Sequence, residues 1–281
     1  MSVVAPTSLQ GVLDALSNEP DAHILAGGTD LMVEVNMGHR RPPSIVATRN
    51  VRELRTRTRN GNLLSIGAGV TYTQLGAPDI AETHPALSAA ARTVGSPQIR
   101  NSGTLGGNVA TGSPAGDTLP VLAAFDATIR LLSVNGSERS VQWDAFFLGP
   151  KRTARLANEV ITAIEVPILN ARQDYLKVGT RNAMVISVAG LALVIDPASE
   201  TVRCGLGSVG PVPLRARGAE GWVAERIDWQ KMTIDTDGAV EFGRLVGAAA
   251  QPIDDHRSTA SYRRHAVATM AERALRRLLP S

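Results

Sequence analysis

At 281 residues the chain has room for one large domain or two ordinary ones, and its 43% hydrophobic and 20% charged residues support a sizeable core and exclude a disordered chain. With 4% aromatic residues and a net charge of +3, it lacks both the stacking surface and the basic excess of a nucleic-acid binder. The one cysteine, Cys204, excludes an internal disulfide framework and any Cys-ligated iron–sulfur cluster held by this chain alone.

Residues 7–17 read as a short amphipathic helix, with Leu9, Val12, Leu13 and Leu16 on one face and Thr7 or Ser8 as its cap. The start carries no basic n-region, and no segment approaches ~20 uninterrupted apolar residues, so a cytoplasmic protein without a membrane span is expected. Residues 23–31, HILAGGTDL, are an apolar run that breaks at Gly-Gly and gives way to a helical pattern through Met37. Strands are expected at 44–50 and 63–70, then an Ala-rich helix at 85–94 with Pro at its start. A glycine-rich stretch, NSGTLGGNVATGSPAGD (101–117), reads as a loop before a buried helix at 118–127. Strands follow between 128 and 166. After Pro167 the segments DYLKVG, ISVAGLALVID and TVRCGLGSV are spaced as an antiparallel meander, and two helical patterns, roughly 214–226 and 259–279, close the chain. The class is α+β, with strands and helices in blocks.

Gly205, Gly207 and Gly210 form a literal G-x-G-x-x-G. A dinucleotide fingerprint needs a helix opening at that loop, and Pro211 and Pro213 forbid one there. The motif reads instead as a strand end with turn glycines. Two other loops, LAGGTDL (25–31) and 101–117, suit a phosphate better together than either does alone. Without Cβ atoms, successive glycines let backbone N–H groups turn toward a ligand and approach it closely. Asp117 repels phosphate but accepts hydrogen bonds from sugar or ribityl hydroxyls. The pair of loops therefore points to a diphosphate-bridged cofactor with hydroxyls beside it, and no Walker lysine motif competes.

AGGTDL followed by IRNSGTLGGNVATGSPAGD, then EVITAIEVP, YLKVGTR, GLGSVGPVPLRA and PIDDHRSTASYRR, resembles the FAD-binding medium subunits of molybdenum hydroxylases of the carbon monoxide dehydrogenase and xanthine dehydrogenase type. The likeness covers nearly the whole chain. It implies a two-lobed FAD-binding domain of the vanillyl-alcohol-oxidase type over 1–170, with lobes of about 1–55 and 56–170, and a smaller α+β domain over 171–281. It implies non-covalent FAD held on the pyrophosphate and adenosine side by Leu25, Ala26, Gly27, Gly28, Thr29, Asp30 and Leu31. Thr104, Leu105, Gly106, Gly107 and Asn108 are expected to hold phosphate from the other side. Thr111 and Asp117 are expected to reach ribityl or ribose hydroxyls, Ile161 to pack on the ring system, and Lys177 to lie near the flavin's polar edge. An ammonium there stabilises the anionic reduced flavin. The resemblance further implies an electron-transfer subunit, with molybdenum cofactor on a large partner subunit, two [2Fe-2S] clusters on a small one, and a dimer of heterotrimers. The alternative is a stand-alone FAD-dependent reductase like the peptidoglycan-precursor reductase, for which the sequence offers no clear acid–base residue. One departure is that NAMVIS places Val185 and Ser187 where many relatives carry an acid before Ile-Ala, which bears on the electron acceptor and not on FAD binding.

Arg49, Arg52, Arg55, Arg57 and Arg59 read as a solvated face or as a docking site for an acidic partner or an anionic acceptor. The five histidines are scattered without metal-ligand spacing, so no metal site is expected. Ser113 has no histidine in sequence context and lies in no G-x-S-x-G elbow, which disfavours a hydrolase.

Overall fold

The computed structural model describes residues 2–280. A first lobe consists of β1 (Ser2–Val4), α1 (Leu9–Asn18), β2 (His23–Leu25), α2 (Leu31–Asn36) and β3 (Ser44–Ala47), with the strands parallel in the order β1-β3-β2. Ser8 caps α1, its Oγ accepting from the Gly11 amide at 3.1 Å. The helix buries Val12, Leu13 and Leu16 against Val46, Val51 and Leu54, and Val160 from the second lobe completes that core.

The second lobe is an antiparallel sheet in the order β4-β5-β10-β6-β7 with helices inserted between its strands. Its strands are β4 (Arg57–Asn60), β5 (Leu63–Gly67), β6 (Thr128–Ser133) and β7 (Glu138–Gln142), then a hairpin of β8 (Phe147–Gly149) and β9 (Arg152–Thr153), then β10 (Glu159–Pro167). Between β5 and β6 run α3 (Tyr72–Leu75), α4 (Pro78–Thr83), α5 (Pro85–Thr93), α6 (Pro97–Ser102), α7 (Leu105–Thr111) and α8 (Leu119–Ala124); α9 (Trp143–Phe146) follows β7. Proline opens α4, α5 and α6, where a missing N–H costs nothing.

The remainder is a meander of β11 (Arg172–Val178), β12 (Ala189–Asp196), β13 (Thr201–Gly207) and β14 (Leu214–Arg215), with α10 (Arg217–Ala224), α11 (Thr236–Ala249) and α12 (Ala260–Leu278). Every residue of β12 is buried. Ala192 and Val194 join the core of the second lobe, while Leu191, Leu193 and Ile195 join the core under α10–α12. The strand is thus a shared wall, and its uninterrupted apolar run follows from having no solvent face.

The fold explains the false fingerprint. A Cβ on Gly205 would overlap the Pro120 carbonyl, reaching its carbon at 2.8 Å, and one on Gly207 would meet the Pro120 ring at 3.1 Å. These glycines let α8 lie directly on β13. Three details go beyond or against the sequence pattern. Residues 105–111, read as loop, form α7: Thr104 caps it and Gly112, at φ +55°, ends it in the left-handed region. Part of the arginine stretch, Arg57–Asn60, is an exposed edge strand, so its side chains are solvated as one of the two readings expects. Residues 236–249 form a helix that the sequence reading passed over, since Gly238, Gly243 and Gly247 lower its intrinsic propensity. Those glycines serve packing: a Cβ on Gly243 would lie 2.7 Å from the Ala268 carbonyl oxygen of α12.

Candidate functional site

The two glycine loops meet face to face. A Cβ on Gly27 would overlap the Ser102 carbonyl oxygen and come within 2.8 Å of the Gly103 Cα. The Tyr72 ring lies on the other side of Gly103, at 2.7 Å from where its Cβ would stand. Two backbones and an aromatic ring are therefore stacked without intervening side chains, which only glycine permits.

This junction borders a cavity of about 500 Å³. Thirteen of the sixteen expected site residues line it: Leu25, Ala26, Gly27, Gly28, Thr29, Asp30, Leu31, Thr104, Gly106, Gly107, Asn108, Thr111 and Ile161. The other three do not. Leu105 is fully buried in the second-lobe core, and Asp117 and Lys177 form a buried ion pair at 2.7 Å outside the cavity.

The loops contribute unequally. Among the described residues, the amides of Gly27, Gly28, Thr29 and Asp30 donate to no backbone carbonyl. They form a free donor set where β2 gives way to α2. In the second loop the amides are engaged. Leu105 donates to the Val70 carbonyl and Gly106 to that of Ala68, each at 2.9 Å; Asn108 donates to that of Thr104. Gly107 donates to the Thr104 hydroxyl at 3.0 Å. A Cβ on Gly106 would collide with Ala68, so that glycine serves close packing. A Cβ on Gly107 would face Ala26 across the gap at 3.8 Å, so this glycine keeps the cleft open. The second loop thus offers side chains more than amides. Asn108 accepts from Thr118 through Oδ1 at 2.6 Å, leaving its amide nitrogen for a ligand. Thr111 donates to Asp30 at 3.2 Å and ties the loops together at the rim. Such a cradle, with only the Ala26 methyl facing the gap and unpaired amides on one side, suits a pyrophosphate.

The Asp117–Lys177 pair is fixed from several elements. Lys177 also donates to the Thr93 carbonyl at 3.2 Å and the Val185 carbonyl at 3.0 Å, and the Tyr175 hydroxyl donates to Asp117 at 3.2 Å. Burial raises the Asp117 carboxyl above its ordinary value, opposed by the Lys177 charge. Tyr72 lines the cavity, and burial, then the charges of Asp30 and Asp117, push its phenol far above the ordinary value.

The sequence reading did not single out Tyr72, His23, Glu34, Arg40, Lys151 or Arg155, all of which line the cavity. Glu34 bridges Lys151 at 2.9 Å and Arg40 at 3.0 Å across the rim. No spacing pattern flags these residues, because α2 and the β8–β9 hairpin converge only in three dimensions. The arginine run lies on the surface, where Arg57 pairs with Asp79 at 3.3 Å. Among the described residues, no helix is long and apolar enough to cross a membrane.

Residues 1–169 match the family model "FAD binding domain in molybdopterin dehydrogenase", and residues 174–278 match "CO dehydrogenase flavoprotein C-terminal domain". The chain belongs to the FAD-subunit family of molybdenum hydroxylases. This flavoprotein is 32% identical over 279 residues to the glyceraldehyde dehydrogenase medium chain of Sulfolobus acidocaldarius, covering 98% of this chain and 97% of that one. It is also similar to a solved structure of quinoline 2-oxidoreductase from Pseudomonas putida 86, with a TM-score of 0.91 at 26% identity over 99% of this chain and 96% of the other. Carbon monoxide dehydrogenase from Hydrogenophaga pseudoflava superposes with a TM-score of 0.88 at 28% identity over 99% and 96% of the two chains. The flavoprotein is thus an oxidoreductase component of the carbon monoxide and xanthine dehydrogenase type, built on a FAD-binding domain and a C-terminal flavoprotein domain.

Proposed function

We infer that the flavoprotein is the electron-transfer subunit of a molybdenum-containing hydroxylase, taking electrons from iron–sulfur clusters of a small partner subunit and passing them to an external acceptor. Bound FAD supplies the exchange between one-electron donors and a two-electron acceptor. The observation that carries the reading is the glycine junction, where Gly27 to Asp30 present unpaired amides and Gly107 leaves the gap open. In this reading those amides and the Asn108 side chain hold the diphosphate, and Ile161 gives an apolar wall. Asp117 and Lys177 hold the ribityl and flavin end. The ammonium would exchange the Val185 or Thr93 carbonyl for the ring edge, keeping its charge partner Asp117. The lone cysteine, Cys204, is fully buried in the C-terminal core, so the clusters belong on another chain.

The test is to co-express the flavoprotein with its neighbouring genes, purify it by a tag on this chain, and record an absorption spectrum beside a subunit gel. Flavin bands with iron–sulfur absorption and two co-purifying chains are expected, in a doubled heterotrimer by mass. A yellow single chain would favour a stand-alone reductase, and a colourless chain that takes up no FAD would defeat the reading.

A further inference from the structure

Two stretches of the sequence, GLGSVGPVP and PIDDHRSTASYRR, line no part of the cofactor cavity, yet they meet each other. Arg263 of α12 is 4% exposed. Its Nη1 donates to the Ser208 carbonyl at 2.7 Å and its Nη2 to the Asp255 carboxylate at 2.6 Å. The Ser208 amide in turn donates to the Pro114 carbonyl at 2.8 Å. A single residue thus passes the grip of α12 on to the glycine-rich stretch 101–117. The arrangement is costly to the fold. Ser208 takes a left-handed backbone, φ +62°, and both its Oγ and Arg263 Nε are buried with no hydrogen-bond partner. A buried ion pair such as Asp255–Arg263 also adds little net stability over apolar residues of the same size.

What this strut holds is the turn between Gly112 and Thr118. Within it the Gly116 amide donates to the Ser113 carbonyl at 2.9 Å, and the Ala115 amide to the Ser113 hydroxyl at 3.3 Å. The turn is tied at three points by three separate elements. The Lys151 amide of the β8–β9 hairpin donates to the Gly112 carbonyl at 3.1 Å, Ser208 holds Pro114, and Asp117 pairs with Lys177 of β11 at 2.7 Å. The turn also packs directly on Asn108, which lines the cavity. A Cβ on Gly116 would stand 2.9 Å from Asn108 Nδ2, and Thr118 donates to Asn108 Oδ1 at 2.6 Å. Two residues of the turn therefore confine the Asn108 amide, and a third is Asp117. A shift at Pro114 moves both groups, and polar groups displaced by a fraction of an ångström lose their hold on a ligand.

We propose that Arg263 is a positioning residue for the cofactor site, acting through Ser208 and Pro114 to set the 112–118 turn and, with it, the Asn108 amide and the Asp117 carboxylate. The planar guanidinium suits this task, because its fork presents separate nitrogens to a carbonyl and a carboxylate at once, which a single ammonium does not. The assignment rests on the FAD reading above and extends it: the last helix of the C-terminal domain takes part in cofactor binding from outside the cavity.

The experiment uses the full chain with any subunits that accompany it, stripped of flavin. The variant is Arg263→Met or, should that chain not fold, Arg263→Lys, which keeps a cation beside Asp255. Hydrogen–deuterium exchange on the flavin-free protein should show amides of 112–118 exchanging about ten-fold faster in the variant, with those of β12 unchanged. FAD, titrated by fluorescence quenching, should bind about ten-fold more weakly. Asn108→Ala alone should also weaken FAD, and adding the Arg263 substitution to it should cost less than about three-fold more, because the two act largely on one contact. Exchange raised equally throughout the chain, or losses that simply multiply in the double variant, would make Arg263 a stabiliser of the fold and overturn the proposal. Unchanged exchange in the turn, or unchanged FAD affinity beside a wild type that binds FAD, would overturn it as well. A wild type that takes up no FAD would instead defeat the FAD reading and this assignment with it.

Discussion

Gly27→Ala tests the junction on which the cofactor cradle depends. The added methyl would overlap the Ser102 carbonyl oxygen and stand 2.6 Å from its carbon and 2.8 Å from the Gly103 Cα. Carbon–carbon contacts settle near 3.5–4.0 Å, so the two loops must part by about 1 Å. Both neighbours are backbone, and neither turns aside as a side chain would. Overpacking of this kind costs about 1–3 kcal/mol. At roughly 2–4 °C per kcal/mol for large domains, the flavin-free protein should melt several degrees lower. The same shift draws the Gly27–Asp30 amides away from a diphosphate. Each hydrogen bond lost to a charged oxygen is worth about 1.5–3 kcal/mol, so FAD affinity should fall by at least ten-fold. Differential scanning fluorimetry and FAD titration measure the two effects on one preparation. A variant that melts and binds like wild type would refute the close approach and, with it, the cradle.

Gly107→Val should separate binding from folding: its first carbon meets only the Thr104 hydroxyl at 3.0 Å and then the open gap, so the chain should fold and purify without flavin. A fully yellow variant would remove Gly107 from the site. Asp117→Ala should weaken FAD by about 1–3 kcal/mol and destabilise the flavin-free chain by about 3–5 kcal/mol, because it strands the buried Lys177 charge. Asp117→Ala/Lys177→Met should recover part of that stability in urea unfolding, and an additive double variant would deny the coupling. Glu159 carries a pH dependence. The Arg139 hydrogen bond holds its carboxyl below the usual range, so the fold favours the ionised form. Its stabilisation is complete above the unfolded value, about pH 4.3, and is lost as pH falls through the lower folded value. Wild type should therefore lose more stability than Glu159→Gln as pH is lowered below about 4, measured by urea midpoints.

Legibility followed the range of the interactions. The Ser8 cap, the Pro-led helices and the apolar meander strands are written in local patterns, and both glycine loops announced themselves in the same way. What stayed hidden depended on contact across the fold. The helix at Thr236–Ala249 carries glycines that lower its local signal, and the reason for Gly243 and Gly247 lies on α12. The amides of Leu105 and Gly106 looked free because their acceptors, Val70 and Ala68, belong to another segment. Tyr72, His23 and Arg155 gave no signal at all, since a lone aromatic or cation acquires meaning only from the cavity it borders.

The seat of α8 on β13 bears on how this chain can be handled. All six residues from Leu119 to Ala124 are buried, and part of their cover comes from the sheet beyond residue 171. Gly205 is bare so that the Pro120 backbone can rest on it, and Arg215 reaches back to the Ala123 carbonyl at 3.2 Å and to Asp126 at 2.7 Å. Cutting the chain near residue 170 would uncover the apolar flank of that helix and leave an oily surface of the kind that drives aggregation. The cofactor unit is thus a poor candidate for excision as a minimal flavin carrier. Any engineered graft of it needs to bring the meander along as its lid.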